Sequence, residues 1–120
     1  MSKISSKSDL INYFNQGCKK ESQIKIGVEH EKFLFNNKQK RADFKEISKI
    51  FTYLNKFGWK QIKEKNHVIA LSNGEKSITL EPGNQIELSG APLNSIHLTC
   101  NESYNFLYEI KQACLSLNLK

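Results

Sequence analysis

The residues of this 120-residue chain best suited to chemistry are four glutamates set among apolar neighbours. Glu29 and Glu31 stand two apart in Ile26-Gly27-Val28-Glu29-His30-Glu31-Lys32-Phe33. Glu81 and Glu87 belong to Glu81-Pro82-Gly83-Asn84-Gln85-Ile86-Glu87-Leu88. Residues two apart on a strand project from the same sheet face, and like charges side by side there repel. A hard cation turns that repulsion into binding, since magnesium takes carboxylate oxygens and keeps water on its remaining positions. Taken alone, Glu-x-Glu is equally a solvated surface, and Glu87 equally faces water while Ile86 and Leu88 face a core. Side by side in one antiparallel sheet, Glu29, Glu31, Glu81 and Glu87 would form a four-carboxylate floor. Such a floor suits magnesium ions that bridge nucleotide phosphates.

The remaining reactive side chains carry less. His30 lies between two glutamates and should point to the opposite face in a structural, hydrogen-bonding role. His67 and His97 have no carboxylate or cysteine at metal-ligand spacing, and no residue is assigned as catalytic. Cys18, Cys100 and Cys114 form no Cys-x-x-Cys pair, and an odd, dispersed count argues against a disulfide framework or a zinc site. Cys100 and Cys114 are expected to be buried free thiols on a helix.

The elements that must position the glutamates follow from periodicity. Residues 8–17 suggest a short helix capped by Ser8, striped by Leu10, Ile11, Tyr13 and Phe14, and ended by a left-handed Gly17. Residues 24–35 have the β-branched and aromatic content of a strand, and 36–41 form a basic loop. Asp43 with Glu46 is a capping box opening a helix through Phe44, Ile47, Ile50, Phe51 and Leu54, which Gly58 should stop. Strands at 59–63, 67–71, 76–81 and 85–88 make a meander, with Asn73-Gly74 as the hairpin turn and Pro82-Gly83 as a break. A longer helix should begin near Asn94, with Ile96, Cys100, Tyr104, Leu107, Ile110, Cys114 and Leu117 on one stripe. The expected fold class is α+β: an antiparallel sheet of about four to five strands with helices on one side.

Composition narrows the function classes. A hydrophobic share of 38%, with 10% aromatics, suffices for a modest core. The net charge of +6 raises nucleic-acid binding. However, 17 of the 18 basic residues are lysines, scattered apart from Lys38-Gln39-Lys40-Arg41. With Arg41 as the sole arginine, bidentate phosphate or guanine clamps are nearly absent, and the 12 asparagines accompany the lysine excess. Neither nucleic acid nor membrane is the expected partner. No run nears the ~18 apolar residues of a span, residues 1–7 lack a signal-peptide core, and the chain is expected in the cytoplasm.

Several stretches in order resemble the plant-type and proteobacterial glutamate–cysteine ligases. Residues 26–33 are similar to that family's Ile-Gly-Thr-Glu-His-Glu-Lys-Phe. Leu80 to Pro92 is similar to its Leu-Glu-Pro-Gly-Gly-Gln-Phe-Glu-Leu-Ser-Gly-Ala-Pro. Val28 replaces Thr, Asn84 Gly and Ile86 Phe, residues 35–43 depart from the pattern, and no carboxylate is lost. The resemblance implies a glutamine-synthetase-like fold, whose curved antiparallel sheet is lined by metal-binding glutamates. It implies that Glu29 lies near the nucleotide-side metal, and that Glu31, Glu81 and Glu87 hold the metal nearer the amino-acid substrate.

The implied reaction uses ATP and Mg2+. ATP phosphorylates the γ-carboxylate of L-glutamate, and the amine of L-cysteine displaces phosphate, the first step of glutathione biosynthesis. Family members are several-fold longer, so residues 1–120 are expected to be the N-terminal portion of a catalytic domain. Alone it should have little or no activity, and the missing C-terminal part is a further expected partner. Alternatives are a non-catalytic metal- or nucleotide-binding remnant, a subunit of a split ligase, a relative making other γ-glutamyl amides, and a basic nucleic-acid-binding module.

Overall fold

In strand β5 (Gln85–Ser89) half-buried and buried residues alternate, Ile86 and Leu88 being the buried pair. That period of two fixes one apolar and one polar face for the strand at the centre of the site. The computed structural model describes residues 4–120. It contains α1 (Lys7–Gly17), β1 (Glu29–Phe33), α2 (Phe44–Leu54), β2 (Lys60–Glu64), β3 (His67–Asn73), β4 (Lys76–Glu81), β5 and α3 (Ile96–Leu117). Short 3-10 turns occupy Glu21–Gln23, Asn55–Phe57 and Pro82–Asn84. The five strands form one antiparallel sheet in the order β1-β5-β4-β3-β2. The α+β class and the helix-backed sheet hold as expected.

The core lies between one sheet face and helices α2 and α3. Leu71, Ile78, Ile86 and Leu88 meet Ile47, Ile50, Phe51 and Leu54 of α2 and Phe106 and Ile110 of α3 in a single buried cluster. Helix α2 starts where the capping box places it. The Glu46 N–H donates to Asp43 Oδ1 and the Asp43 N–H to Glu46 Oε2, both at 2.9 Å, satisfying two donors that a helix start leaves open. Gly58 ends the following turn in the left-handed region, φ +88°. Trp59 is buried and its indole N–H donates to Glu109 Oε2 at 2.7 Å, tying the start of the meander to α3.

Several expectations need correction. Helix α1 is capped by Ser6, whose Oγ accepts the Asp9 N–H at 3.1 Å, and not by Ser8. It ends into an extended Cys18 without a left-handed Gly17, and none of its residues is buried. The strand expected over 24–35 pairs continuously only over Glu29–Phe33, because β5 ends at Ser89. Beyond Ser89 a single bridge joins Ile26 to Leu93, and at the other end of β1 Phe35 bridges to Arg41. The hairpin turn is Gly74-Glu75 rather than Asn73-Gly74: Asn73 pairs with Lys76, and only Gly74 takes positive φ, +65°. One left-handed glycine at the first central position is enough for a two-residue turn.

Helix α3 buries the second half of the expected stripe, with Ile110 and Cys114 buried and Leu107 and Leu117 packed against the core, but not its first half. Thr99, Glu102, Phe106, Ile110, Ala113 and Cys114 face inward, whereas Ile96 and Tyr104 are exposed. Cys114 is buried and burial raises its thiol pKa, but Cys100 is exposed, against expectation. The molecule extends 58 × 35 × 25 Å with a radius of gyration of 18.3 Å, against about 14 Å for a compact domain of this length. Helix α1, with none of its residues buried, contributes nothing to the packed core. Among the described residues no helix is long and apolar enough to cross a membrane.

A candidate metal-binding carboxylate face

Strand pairing decides which side chains meet on the sheet face away from α2 and α3. In β1 and β5, Glu29 stands opposite Ser89, Glu31 opposite Glu87, and Phe33 opposite Gln85. In β5 and β4, Ser89 stands opposite Ser77, Glu87 opposite Thr79, and Gln85 opposite Glu81. The polar face therefore has three rows across three strands: Glu29–Ser89–Ser77, Glu31–Glu87–Thr79 and Phe33–Gln85–Glu81. All four sequence-singled glutamates lie on it. Glu87 is the hub, with Glu31 directly across at roughly 5 Å between Cβ atoms and Glu29 and Glu81 on diagonals of roughly 7–8 Å. His30 faces the other way, half-buried, with its ring 5.8 Å from that of Phe106. This aromatic contact stands in place of the expected hydrogen bond. Burial, then the Lys32 charge, lowers the His30 pKa.

Neighbouring groups orient the carboxylates. The Gln85 side-chain amide donates to Glu31 Oε2 at 2.8 Å, and the Ser89 hydroxyl donates to Glu87 Oε1 at 3.1 Å. Thr79 Oγ1, beside Glu87 in the central row, is buried without a hydrogen-bond partner. Glu29 and Glu31 are exposed; Glu81 and Glu87 are half-buried. An all-oxygen donor set suits a hard cation. Among the described residues no three His, Cys, Asp or Glu side chains converge to enclose an ion. Magnesium does not require that, because it is usually held by one or two carboxylates and completed by water and phosphate oxygens. The donor set therefore fits magnesium as opposed pairs, Glu31 with Glu87 above all, rather than as a closed cage.

Sequence reasoning missed two residues at the borders of this face. Arg41 emerges from the loop before α2 with its guanidinium carbon 4.9 Å from the centre of the Phe33 ring. Its Nη1 donates to the Gly83 carbonyl at 3.5 Å. Its status as the sole arginine, two residues before a capping box, was the available signal. Glu102 is a buried carboxylate on α3 that accepts the Ala91 N–H at 3.0 Å and holds the turn leaving β5. Nothing in its helical context announces this.

At the other end, Gly27, Val28, Glu29, Ser89 and Gly90 line a cleft of about 310 Å3. An apolar groove of about 340 Å3, between the end of β1 and the last turns of α3, contains none of the four glutamates.

Comparison with known proteins agrees with the motifs. The family described as Glutamate-cysteine ligase family 2 (GCS2) matches residues 25–118. A chloroplastic glutamate–cysteine ligase of Medicago truncatula is 43% identical over 107 residues, covering 88% of this chain and 21% of that protein. Chloroplastic glutamate–cysteine ligase A of Oryza sativa subsp. japonica is 46% identical over 107 residues, covering 88% and 22%. A chloroplastic glutamate–cysteine ligase of Arabidopsis thaliana is 41% identical over 107 residues, covering 88% and 20%. The chain thus spans about a fifth of the length of these relatives, and by sequence it belongs to the Glutamate-cysteine ligase family 2.

Proposed function

We propose that this chain provides the magnesium-binding carboxylate face of an ATP-dependent ligase that joins the γ-carboxylate of L-glutamate to the amine of L-cysteine through a γ-glutamyl phosphate. The single observation that carries the reading is the direct opposition of Glu31 and Glu87 on an open sheet face, with Glu29 and Glu81 on its diagonals. Bound magnesium would neutralise phosphate charge, the main requirement of phosphoryl transfer. Glu31, Glu81 and Glu87 would hold the ion on the amino-acid side, and Glu29 the one on the nucleotide side. Gln85 and Ser89 keep the Glu31 and Glu87 carboxylates oriented, as outer hydrogen-bond partners do at metal sites. A ligase relying on this face needs cationic and nucleotide contacts beyond it, and the relatives have about four-fifths of their length outside the matched region. That share also favours a second reading, a subunit of a split ligase with the same face. The exposed thiols Cys18 and Cys100 suit a reducing compartment, which we take to be the cytoplasm; the relatives' names place those proteins in chloroplasts.

Magnesium titration of the purified chain by calorimetry tests the reading. Saturable binding is expected for the unmodified chain, weakened about tenfold or more in the Glu31→Gln/Glu87→Gln variant. Equal heats from both proteins would remove the basis for the proposal.

A further inference from the structure

We infer that Arg41, stacked on Phe33 at the Glu81 end of the carboxylate face, is an oxyanion-binding subsite that receives a carboxylate or phosphate group of a substrate. The inference rests on the ligase reading of that face only for the identity of its ligands. Four observations place the guanidinium as a built feature. Phe33 belongs to the same face as Glu29 and Glu31, and its row continues through Gln85 to Glu81. The guanidinium carbon lies 4.9 Å from that ring's centre, within the range of a cation–π contact. The next residue's backbone is tied at both its N–H and its carbonyl: the Ala42 N–H donates to the Leu34 carbonyl at 2.7 Å, and Asn84 Nδ2 donates to the Ala42 carbonyl at 3.2 Å. The turn it touches is shaped around it. A Cβ on Gly83, where φ is +76°, would stand 3.2 Å from Arg41 Nη1 and 3.7 Å from Phe33 Cε1.

The chemistry follows from those constraints. An arginine carries five N–H donors in a planar fork, and among the described residues its acceptor is the Gly83 carbonyl at a long 3.5 Å. Arg41 is exposed, so the outer edge of the fork meets solvent beside Phe33, at the end of the row that continues to Glu81. A fixed, partly stacked guanidinium pairs with planar carboxylate or phosphate oxygens at lower ordering cost than a lysine ammonium. On a face lined by four glutamates it is also the cation that lets an anionic substrate approach. Asn84 is part of the device: at φ +61° it takes a backbone conformation that asparagine tolerates, and its amide holds the Arg41 loop.

Because the chain has one arginine, its guanidinium gives one Nε–Hε signal in a 15N-labelled sample. That signal is followed during titration with L-glutamate, with inorganic phosphate, with MgADP, and with sodium chloride at matched ionic strength. The expected result is a saturable shift with at least one of the first three that chloride does not reproduce. L-glutamate alone identifies a carboxylate subsite; phosphate or MgADP identifies a phosphoryl subsite. Phe33→Leu, which removes the stacking ring, should weaken the response about two- to fivefold. A signal that no titrant moves, or that chloride moves equally, overturns the inference. Failure here with intact magnesium binding leaves the ligase reading standing, whereas a responding Arg41 without magnesium binding defeats that reading and keeps the subsite.

Discussion

Gly90 meets its surroundings more closely than any other glycine of the chain. A Cβ there would stand 2.5 Å from Glu102 Oε2 and 3.0 Å from the Val28 carbonyl, while the Gly90 N–H donates to that same carbonyl at 2.7 Å. The missing side chain lets the buried Glu102 carboxylate reach the Ala91 N–H and lets β1 and the end of β5 approach. Gly90→Ala should therefore destabilise the fold by about 1–3 kcal/mol through overpacking. Gly17→Ala, with nothing within 4 Å, should stay within about 0.5 kcal/mol. Urea unfolding followed by the fluorescence of the single tryptophan, Trp59, measures both. His30 sets a separate expectation. Burial first, and the Lys32 charge second, hold its pKa below the ordinary histidine value of 6.5. The unfolded chain thus binds the proton more readily. The stability gained by keeping His30 neutral is complete above about pH 6.5 and is lost as pH falls through the lowered folded value. His30→Phe should flatten that part of a stability-versus-pH curve, and an unchanged slope would mean that other groups carry it.

At the scale of elements, local chemistry and long-range pairing separate cleanly. The capping box at Asp43 and Glu46 is legible because its bonds join residues three apart. The glutamates' shared face follows from strand alternation, which is also local. The hairpin slipped by one residue because Asn73-Gly74 and Gly74-Glu75 both offer a left-handed glycine, and the choice lies with the pairing of Asn73 to Lys76 across the turn. In α3 apolar residues occupy more than one stripe, so periodicity alone could not say that Phe106 faces inward and Tyr104 outward. Arg41 and Phe33 meet through a loop closed by Asn84, 43 residues further along the chain from Arg41, which no periodicity reports. Helix α1 shows the limit of a correct local assignment. Its 11 residues form a capped amphipathic helix with none of them buried, and isolated helices of that length are marginal in water. Amide hydrogens over Lys7–Gly17 should exchange rapidly while the inward face of α3 stays protected; comparable protection would show that α1 has found a partner.

The whole molecule presents the carboxylate face on one side of its sheet and exposed apolar side chains elsewhere. Phe14, Tyr13, Ile24, Tyr104, Tyr108 and Leu115 are each more than half exposed. The carboxylate face is open in chemical terms as well. Phosphoryl and acyl transfer depend on preorganised charge in a site from which water is excluded, and here the glutamates lie on an open sheet with one arginine at its edge. The magnesium and oxyanion sites proposed above would both be open to solvent, and such a face cannot enclose an acyl phosphate against hydrolysis. We therefore expect the purified 120-residue chain to release no ADP in response to L-glutamate and L-cysteine together. Adding a segment of a plant relative that begins after its matched region should restore release dependent on both amino acids, and Glu87→Gln in this chain should abolish that restored activity. A coupled ADP assay distinguishes the outcomes. Turnover by the chain alone would show that these residues suffice to close a site. Restoration insensitive to Glu87→Gln would show that the added segment works without this carboxylate face.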